Sequence, residues 1–282
     1  MLIKITEKCS MGCSHCFDNA TPVGDDMSMK TFVDILDFLV THNIGKFLVI
    51  SGAEPTEHPQ FEEFMYTLFD YATRYPENFY GAIVTTNGVE ILKNQEKYKK
   101  IALDGIKAFT CNRPNLPKPI DQFTNFAFQV SADVRFYPKR IDITKRVFRE
   151  PGFALFDDRV IKVVNMGRAR TNHLGKEFAA PQCINCRLIA NQVYIKQHPG
   201  NNLTLSEIEM NLLQAAKSCV PSISVKGDIK LGESMLCKPC ASIYDEEKEI
   251  IEKMVKFTCD GCKEEIDKLD PITKLLLSMP IL

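Results

Sequence analysis

The chain has 282 residues, enough for one large α/β domain and a small appendage, with the 45% apolar and 25% charged content of a globular protein. Its 35 basic and 36 acidic residues leave no positive excess, which argues against binding to a nucleic-acid backbone. There is no apolar run of the roughly 20 residues that a membrane helix needs, and no signal peptide is recognisable. Eleven cysteines without a secretion signal therefore favour metal ligation in a reducing cytoplasm over disulfides.

Three cysteines follow the first predicted strand, Leu2–Thr6, at the spacing C-x3-C-x2-C, namely Cys9, Cys13 and Cys16. A loop this short can direct three thiolates to one inorganic cluster, because thiolate is the soft ligand that iron–sulfur clusters need. Three ligands on a four-iron cluster leave one iron open for a substrate or cosubstrate. A zinc knuckle is the alternative, but zinc usually takes four protein ligands, and His15 is the one further candidate nearby.

Predicted strands and helices alternate along the part of the chain that surrounds and follows these cysteines. The predicted strands are Leu2–Thr6, 47–50, 82–86, either 106–110 or Phe126–Ser131, and 160–164. Three helices are predicted. The first follows the polar residues 25–28, the second carries the apolar residues of 61–69, and the third spans about 89–103. This alternation predicts βα units around a parallel sheet, with functional residues at the carboxyl ends of the strands.

A polar turn, Ser51-Gly52-Ala53-Glu54-Pro55, follows the second predicted strand. Gly52 allows the backbone to approach a ligand closely, and neighbouring carbonyl groups can accept hydrogen bonds from an α-ammonium group. Glu54 adds a charge-assisted acceptor. An ordinary strand-to-helix turn is the alternative, but the position of this turn one helix after the cysteines favours ligand binding.

The cysteine loop and the Glu54 turn together resemble the signature of the radical SAM superfamily, and the resemblance covers roughly residues 1–170. Ala53 stands where the family's GGEP motif has its second glycine, a departure that some backbone conformations accommodate. The resemblance implies that Cys9, Cys13 and Cys16 hold a catalytic [4Fe–4S] cluster, whose free iron is chelated by S-adenosylmethionine (SAM). One electron then cleaves SAM to methionine and a 5′-deoxyadenosyl radical, which abstracts a hydrogen atom from the substrate.

The resemblance also implies contacts to SAM, most of them at strand ends. Thr86 and Asn87 close the third predicted strand and Ser131 or Asp133 the fourth, where ribose and carboxylate contacts would lie, although each could equally cap a buried strand. Arg135 is a further candidate for the SAM carboxylate. The full set of candidate cofactor contacts is His15, Phe17, Ser51, Gly52, Ala53, Glu54, Thr86, Asn87, Ser131, Asp133, Arg135 and Met166.

The sequence Met166-Gly167-Arg168-Ala169 resembles the G-R-A turn that the family often has at its last barrel strand. In that family the turn lies near the adenine of SAM. Arg168 can equally be a surface charge.

Cysteines become dense after the boundary near residues 173–181, where the βα alternation stops. The segments 222–225 and 229–231 alternate around a turn and predict a β-hairpin, and 246–256 predicts a helix. The cysteine spacing through Gly232 resembles the twitch domain, a shortened SPASM domain, in which a hairpin and a helix hold an auxiliary [4Fe–4S] cluster. The further cysteines of a full SPASM domain are absent from the sequence.

The twitch-like pattern implies one auxiliary [4Fe–4S] cluster, whose ligands would be Cys219, Cys237, Cys259 and Cys262. A second auxiliary cluster with an open iron is the main alternative, and its ligands would be Cys183, Cys186 and Cys240. A zinc ribbon is a further alternative, because paired C-x2-C sets also suit zinc. Cys111 is expected to be a small buried hydrophobe, although a spare thiol such as Cys111 or Cys240 could donate a hydrogen atom.

These patterns and the resemblance predict an α/β fold: a partial (β/α)6 TIM-like barrel over residues 1–175, followed by a small cysteine-rich α+β domain over 176–282. We expect SAM to lie across the carboxyl-terminal face of the barrel, and the substrate between the two domains. Because the barrel begins at residue 1, a peptide-recognition domain is expected to be absent or supplied as a separate protein.

The resemblance implies an enzyme that modifies a peptide or protein side chain, with small-molecule dehydrogenation and cofactor or nucleotide chemistry as alternatives. A zinc-stabilised binding module and a ferredoxin-like electron carrier are more distant hypotheses. The expected partners are a peptide or small-molecule substrate, and an external electron donor such as flavodoxin or ferredoxin. We expect a cytoplasmic protein that binds neither membrane nor nucleic acid.

Overall fold

The structure, a computed structural model, describes residues 1–16, 18–111, 125–131, 145–156, 167–174, 204–208, 221–230, 232 and 237–256. Strands in this part of the chain form one sheet. They are β1 (Leu2–Thr6), β2 (Phe47–Gly52), β3 (Gly81–Thr86), β4 (Phe126–Ser131), β5 (Phe153–Phe156), β6 (Ser222–Ile223), β7 (Asp228–Lys230) and β8 (Ala241–Ser242). Their order across the sheet is β5-β4-β3-β2-β1-β6-β7-β8. All pairs from β5 to β6 are parallel, whereas β6–β7 and β7–β8 are antiparallel.

Helices connect the parallel strands, which confirms the predicted α/β class. The helices described are α1 (Met29–Thr41), α2 (Phe61–Arg74), α3 (Val89–Lys93), α4 (Gln95–Thr110), α5 (Gly167–Thr171) and α6 (Glu247–Lys256). The polar start signal of α1 acts as expected, because the Ser28 hydroxyl accepts a hydrogen bond from the Thr31 amide at 3.0 Å and caps the helix. None of the helices in the described ranges is both long enough and apolar enough to cross a membrane.

One face of the sheet is covered by helices. Strand residues that share this face in register, and that are fully buried, are Ile3, Ile50, Val84 and Phe128. The ring of Phe128 contacts Phe61 of α2 and Tyr98 of α4, with centroids 6.2 and 5.5 Å apart. Full burial of apolar side chains of this size stabilises the fold by about 1.5–3 kcal/mol each, so the alternating apolar positions hold the sheet against the helices.

Two predicted elements differ from the structure. Of the two alternatives for the fourth strand, Phe126–Ser131 is confirmed as β4, whereas 106–110 is wrong because these residues are the last turns of α4. The buried residues of α4 continue at helical spacing through Ala108 and Phe109, so this apolar run extends one helical face. The single predicted helix 89–103 is two helices that meet at Asn94, whose φ of −134° is not helical. The predicted strand 160–164 lies outside the described residues, and β5 was not predicted.

The C-terminal hairpin is confirmed. Strands β6 and β7 pair antiparallel, and Ser224 and Asp228 form the turn between them through a 2.9 Å hydrogen bond from the Ser224 amide to the Asp228 carbonyl. The hairpin continues the main sheet, because β6 pairs parallel with β1. Helix α6 begins within one residue of its predicted start. The division into domains at residues 175 and 176 stays a prediction.

Candidate functional site

The cysteine loop, residues 9–16, leaves the carboxyl end of β1 and lies above the ends of β2, β3 and β4. Gly12 allows the chain to turn between the cysteines, because its φ of +67° is unfavourable for residues with a side chain. Cys9 is buried, and Cys13 and Cys16 are half-buried. All three line a cavity of about 260 Å³ that also reaches the strand ends. The carboxyl ends of parallel strands therefore face the thiols, as the alternation of elements predicted.

The thiols of the cysteine loop are held in a poorly solvated position. Burial raises the pKa of Cys9 to about 11 and that of Cys13 to about 12, with further contributions from neighbouring acidic groups and thiols. Backbone amides compensate for part of the hydration that two of the sulfur atoms lose. Met11 N–H donates to Cys9 Sγ and Ala20 N–H donates to Cys16 Sγ, each at 3.4 Å. The Cys9 and Cys13 thiols are therefore neutral at physiological pH until a metal displaces their protons.

This donor set fits an iron–sulfur cluster. Thiolates are the required ligands, and each would bind a different iron, so the three sulfur atoms need not converge on one point. Among the residues that the structure describes, no three His, Cys, Asp or Glu side chains come together tightly enough to hold a single metal ion. Three thiolates in one short loop are also fewer than the four protein ligands that a structural zinc ion usually takes.

Arg168 of α5 anchors the cysteine loop, although it lies about 150 residues later in the chain. Its Nε donates to the carbonyl of Cys13 at 2.8 Å and its Nη1 to the carbonyl of Ala20 at 2.7 Å. Its backbone amide donates to Cys16 O at 3.0 Å, and Asn172 Nδ2 donates to Ser14 O at 2.9 Å. Arg168 is therefore not a free surface charge, because it positions the loop that carries the cysteines; a place of this turn near the adenine of SAM stays a prediction.

Glu57 anchors the same loop near Cys9. Its carboxylate accepts a hydrogen bond from the Ser10 amide at 2.9 Å and one from the Ser10 hydroxyl at 2.6 Å. Glu57 belongs to a short 3₁₀ turn, Pro55–Glu57, that follows the Glu54 motif. The sequence analysis did not identify this residue, although its place three residues after Glu54 is a signal that could have been used.

Glu54 is buried, and its carboxylate joins the ends of two strands. Oε1 accepts hydrogen bonds from the amide and the hydroxyl of Thr56 and from the Thr86 hydroxyl at 2.7 Å. Oε2 accepts one from the Asn87 amide at 2.7 Å. Burial raises the pKa of Glu54, while these donors act to lower it. Glu54 is thus a structural tie as well as a residue that lines the cavity.

Gly52 lines the cavity, where its approach to a ligand stays a prediction, and it also has a structural role. Its φ is +131°, and a Cβ at this position would lie 2.3 Å from the carbonyl oxygen of Thr6. The glycine therefore makes room for the end of β1, to which Ala53 N–H donates at 3.0 Å. Ala53 is absent from the described residues with positive φ, so alanine is accommodated where the family has glycine.

The structure brings the remaining described candidates together. The cavity is lined by His15, Ser51, Gly52, Ala53, Glu54, Thr86, Asn87 and Ser131, together with Thr85 and Gln129, which the sequence analysis did not single out. Four candidates lie outside the described residues: Phe17, Asp133, Arg135 and Met166. His58 lies outside the cavity lining and is buried against α2, with its Nε2 3.0 Å from the Met27 carbonyl.

Of the C-terminal cysteines, the structure describes Cys237 and Cys240, both half-buried beside the hairpin. The Cys240 thiol donates to the Ile229 carbonyl at 3.2 Å, and burial raises its pKa to about 12. The predicted ligands outside the described residues are Cys183, Cys186, Cys219, Cys259 and Cys262. Cys111 follows the last turn of α4 and is not among the described residues that line the cavity.

No family model matches the chain, and no curated protein matches it. Among solved structures, BtrN in complex with AdoMet and 2-DOIA is similar with a TM-score of 0.55 and 11% identity, over 98% of this chain and 86% of that one. Native anSMEcpe with bound AdoMet is similar with a TM-score of 0.52 and 15% identity, over 96% of this chain and 87% of that one. The chain therefore shares its fold with these two proteins, each of which was solved with AdoMet, another name for SAM.

Proposed function

We propose that this chain is a radical SAM enzyme and that the cavity under the cysteine loop binds SAM. The observation that carries the proposal is that Cys9, Cys13 and Cys16 line the same cavity as Glu54 and the ends of three parallel strands. When bound, a [4Fe–4S] cluster on these cysteines supplies one electron to SAM, whose cleavage gives methionine and a 5′-deoxyadenosyl radical that takes a hydrogen atom from the substrate. The fold shared with two proteins solved with AdoMet supports this proposal.

The residues of the cavity can orient SAM by hydrogen bonds. Oε1 of Glu54 accepts three hydrogen bonds and Oε2 one, which leaves Oε2 a lone pair for the α-ammonium group of SAM. Asn87 uses Oδ1 to accept from the Val89 amide at 2.9 Å, so its NH₂ group can donate to the ribose. We assign Ser131 as a contact for the carboxylate group of SAM. The roles of Phe17, Asp133, Arg135 and Met166 rest on the resemblance alone.

Iron counting after anaerobic reconstitution with iron and sulfide tests the proposal. We expect the triple variant Cys9→Ala, Cys13→Ala, Cys16→Ala to lose about four irons per chain and all dithionite-dependent formation of 5′-deoxyadenosine. Cys111→Ala is the matched control, because Cys111 lies away from the cavity, and it should keep both. Zinc in place of iron, or intact SAM in the wild type, would refute the radical mechanism.

We further propose one auxiliary [4Fe–4S] cluster near the hairpin, with Cys237 among its ligands; a second cluster with Cys240 as a ligand is the alternative. Half-burial of both thiols and the contact of Cys240 with Ile229 of β7 support this proposal. The iron left in the triple variant counts the auxiliary clusters. An external flavodoxin or ferredoxin would supply the electron in a cytoplasmic setting, and a separate peptide-recognition protein is a proposed partner.

For the substrate we propose a peptide or protein side chain, on the strength of the family resemblance. A second candidate is the oxidation of a small molecule, which the likeness to BtrN favours, because BtrN was solved with 2-DOIA. Deuterium in the 5′-deoxyadenosine formed from a deuterated substrate separates the two candidates. A deuterated peptide pool that transfers no label, while a small molecule does, would exclude the peptide.

A further inference from the structure

A row of polar side chains crosses the sheet directly below the cysteine loop. Lys4 of β1 is in register with Ser51 of β2, and Thr85 of β3 with Gln129 of β4. The Thr85 hydroxyl donates to Ser51 Oγ at 3.0 Å, which joins the two halves of the row. Neighbouring residues of these strands face the helices, so the row points to the opposite face. Ser51, Thr85 and Gln129 line the cavity there.

The layer below this row is apolar. Its members, in register across the same four strands, are Leu2, Val49, Ile83 and Ala127. A ligand that enters from the cysteine loop thus meets one polar layer and then a hydrophobic one. Ser51, Thr85 and Gln129 are each half-buried, so they remain accessible from the cavity. The polar row is therefore the floor of the site, and we call Ser51, Thr85 and Gln129 the polar floor.

The polar floor offers uncharged hydrogen-bonding groups. Because Thr85 donates to Ser51 Oγ, the Ser51 hydroxyl proton is directed elsewhere and can be donated to a ligand. The side-chain amide of Gln129 is half-buried at the cavity and forms no hydrogen bond within the described ranges, whereas the backbone of Gln129 pairs with β3 and β5. An amide that has lost part of its hydration without a partner is costly, and a ligand with matching groups recovers that cost.

The two charged groups next to the polar floor have partners of their own. The ammonium group of Lys4 lies 2.7 Å from Asp18 Oδ1, with both side chains largely buried. The Glu54 carboxylate accepts hydrogen bonds from Thr56, Thr86 and Asn87, and its remaining lone pair is the one proposed above for the ammonium group of SAM. Among the described residues, the floor itself thus presents donors and an acceptor without net charge. Such a surface favours a neutral group over a carboxylate, a phosphate or an ammonium, which would lose hydration without a counter-charge.

We propose that Gln129, together with Ser51, determines substrate specificity by binding an uncharged group that both donates and accepts hydrogen bonds, such as a peptide amide or a hydroxyl group. This inference rests on the proposed function for its place beneath SAM and adds the substrate class. The planar Gln129 amide can donate and accept at once, which matches the N–H and C=O of an extended peptide residue. A group fixed at the floor would hold the adjacent carbon towards the cysteine loop.

Ligand-detected NMR on the reconstituted full chain with SAM tests the proposal with defined probes. The neutral probes are N-acetylglycine N-methylamide and myo-inositol, and the charged ones are acetate, methyl phosphate and methylammonium. We expect one neutral probe to bind more tightly than all charged ones, and the better of the two identifies the amide or the hydroxyl source. Gln129→Leu should weaken that probe about 3- to 10-fold, as expected for the loss of one or two neutral hydrogen bonds.

Two variants sharpen the test. Gln129→Glu places an acceptor-only charge on the floor and should reverse the preference towards methylammonium, whereas the exposed Gln60→Leu should change nothing. Charged probes that bind best in the wild type, or equal binding by wild type and Gln129→Leu, would overturn the proposal. The two proposals can fail independently. If no 5′-deoxyadenosine forms, the radical mechanism is refuted even when probe binding depends on Gln129. If 5′-deoxyadenosine forms but probe binding does not depend on Gln129, only the role of the polar floor is refuted.

Discussion

Arg168 donates a hydrogen bond at 2.8 Å to the carbonyl of Cys13, a residue 155 positions earlier in the chain. With its second side-chain contact to Ala20, the guanidinium holds both ends of the segment that carries Cys13 and Cys16. The cysteine loop is thus shaped from outside by a short helix, α5, rather than by its own sequence alone. Its capacity to hold a cluster should therefore depend on a residue that binds no metal.

We expect Arg168→Ala to reduce iron retention. The variant removes two charge-assisted hydrogen bonds to loop carbonyls, which together stabilise the loop by about 2–4 kcal/mol. Iron per chain after reconstitution and gel filtration should fall well below that of the wild type, and Arg168→Lys should give an intermediate value because lysine lacks the forked geometry. The exposed Arg149→Ala is the control. Full iron in Arg168→Ala would show that the loop needs no external anchor.

The anchors of the loop mark the limit of what the sequence predicts here. The parallel strands could be predicted from short apolar runs and from the alternation of strands and helices, because both are local patterns in the sequence. The spacing of the cysteines likewise predicted the cysteine loop. Arg168 and Glu57 bind carbonyls, amides and hydroxyls of distant residues, and such contacts leave no periodic signal. Gln129 is similar, since its exposure to the cavity depends on register with β3. The burial of His58 could not be predicted either, because its polar local sequence gives no sign of the helix that covers it.

Glu54 should tolerate neither a neutral isostere nor a shorter side chain. Glu54→Gln replaces one carboxylate oxygen by an NH₂ group, so at least one of the donors from Thr56, Thr86 or Asn87 would face another donor. We expect a loss of about 2–4 kcal/mol in the free energy of unfolding, and loss of SAM binding measured by equilibrium dialysis. The exposed Glu63→Gln is the control. Wild-type stability in Glu54→Gln would mean that these hydrogen bonds do not tie β2 to β3.

Exchange between alanine and glycine should lower the free energy of unfolding much more at Gly52 than at Ala53. Gly52→Ala forces a Cβ to within 2.3 Å of Thr6 O at a φ of +131°, so β1 and β2 must separate. We expect a loss of at least about 3 kcal/mol or failure to fold. Ala53→Gly restores the family's GGEP motif and should cost less than about 1 kcal/mol, because alanine shows no positive φ here. Denaturant unfolding compares them, and equal losses would contradict the assigned role of Gly52.

His58 should make the protein less stable as the pH falls below about 6.5. Its Nδ1 accepts from the Gln60 amide at 3.0 Å, so Nε2 carries the proton and donates to the Met27 carbonyl. Burial lowers the pKa of His58 from its ordinary value of 6.5, with Lys8 acting in the same sense and Asp26 against it. Below about pH 6.5 His58 is therefore protonated to a greater extent in the unfolded chain than in the folded chain, and the stability contributed by neutral His58 is lost as the pH falls from there.

Unfolding by urea from pH 7.5 to 5.5 measures the effect of His58. The wild type should lose stability with a slope of at most about 1.4 kcal/mol per pH unit from this group, and His58→Gln should flatten that part of the profile at a lower overall stability. His173→Asn is the control, because His173 is exposed, and asparagine tolerates its positive φ of 57°. If His173→Asn rather than His58→Gln removed the slope, the proton would be taken up at the exposed His173 and not at the buried His58, which contacts the Met27 carbonyl.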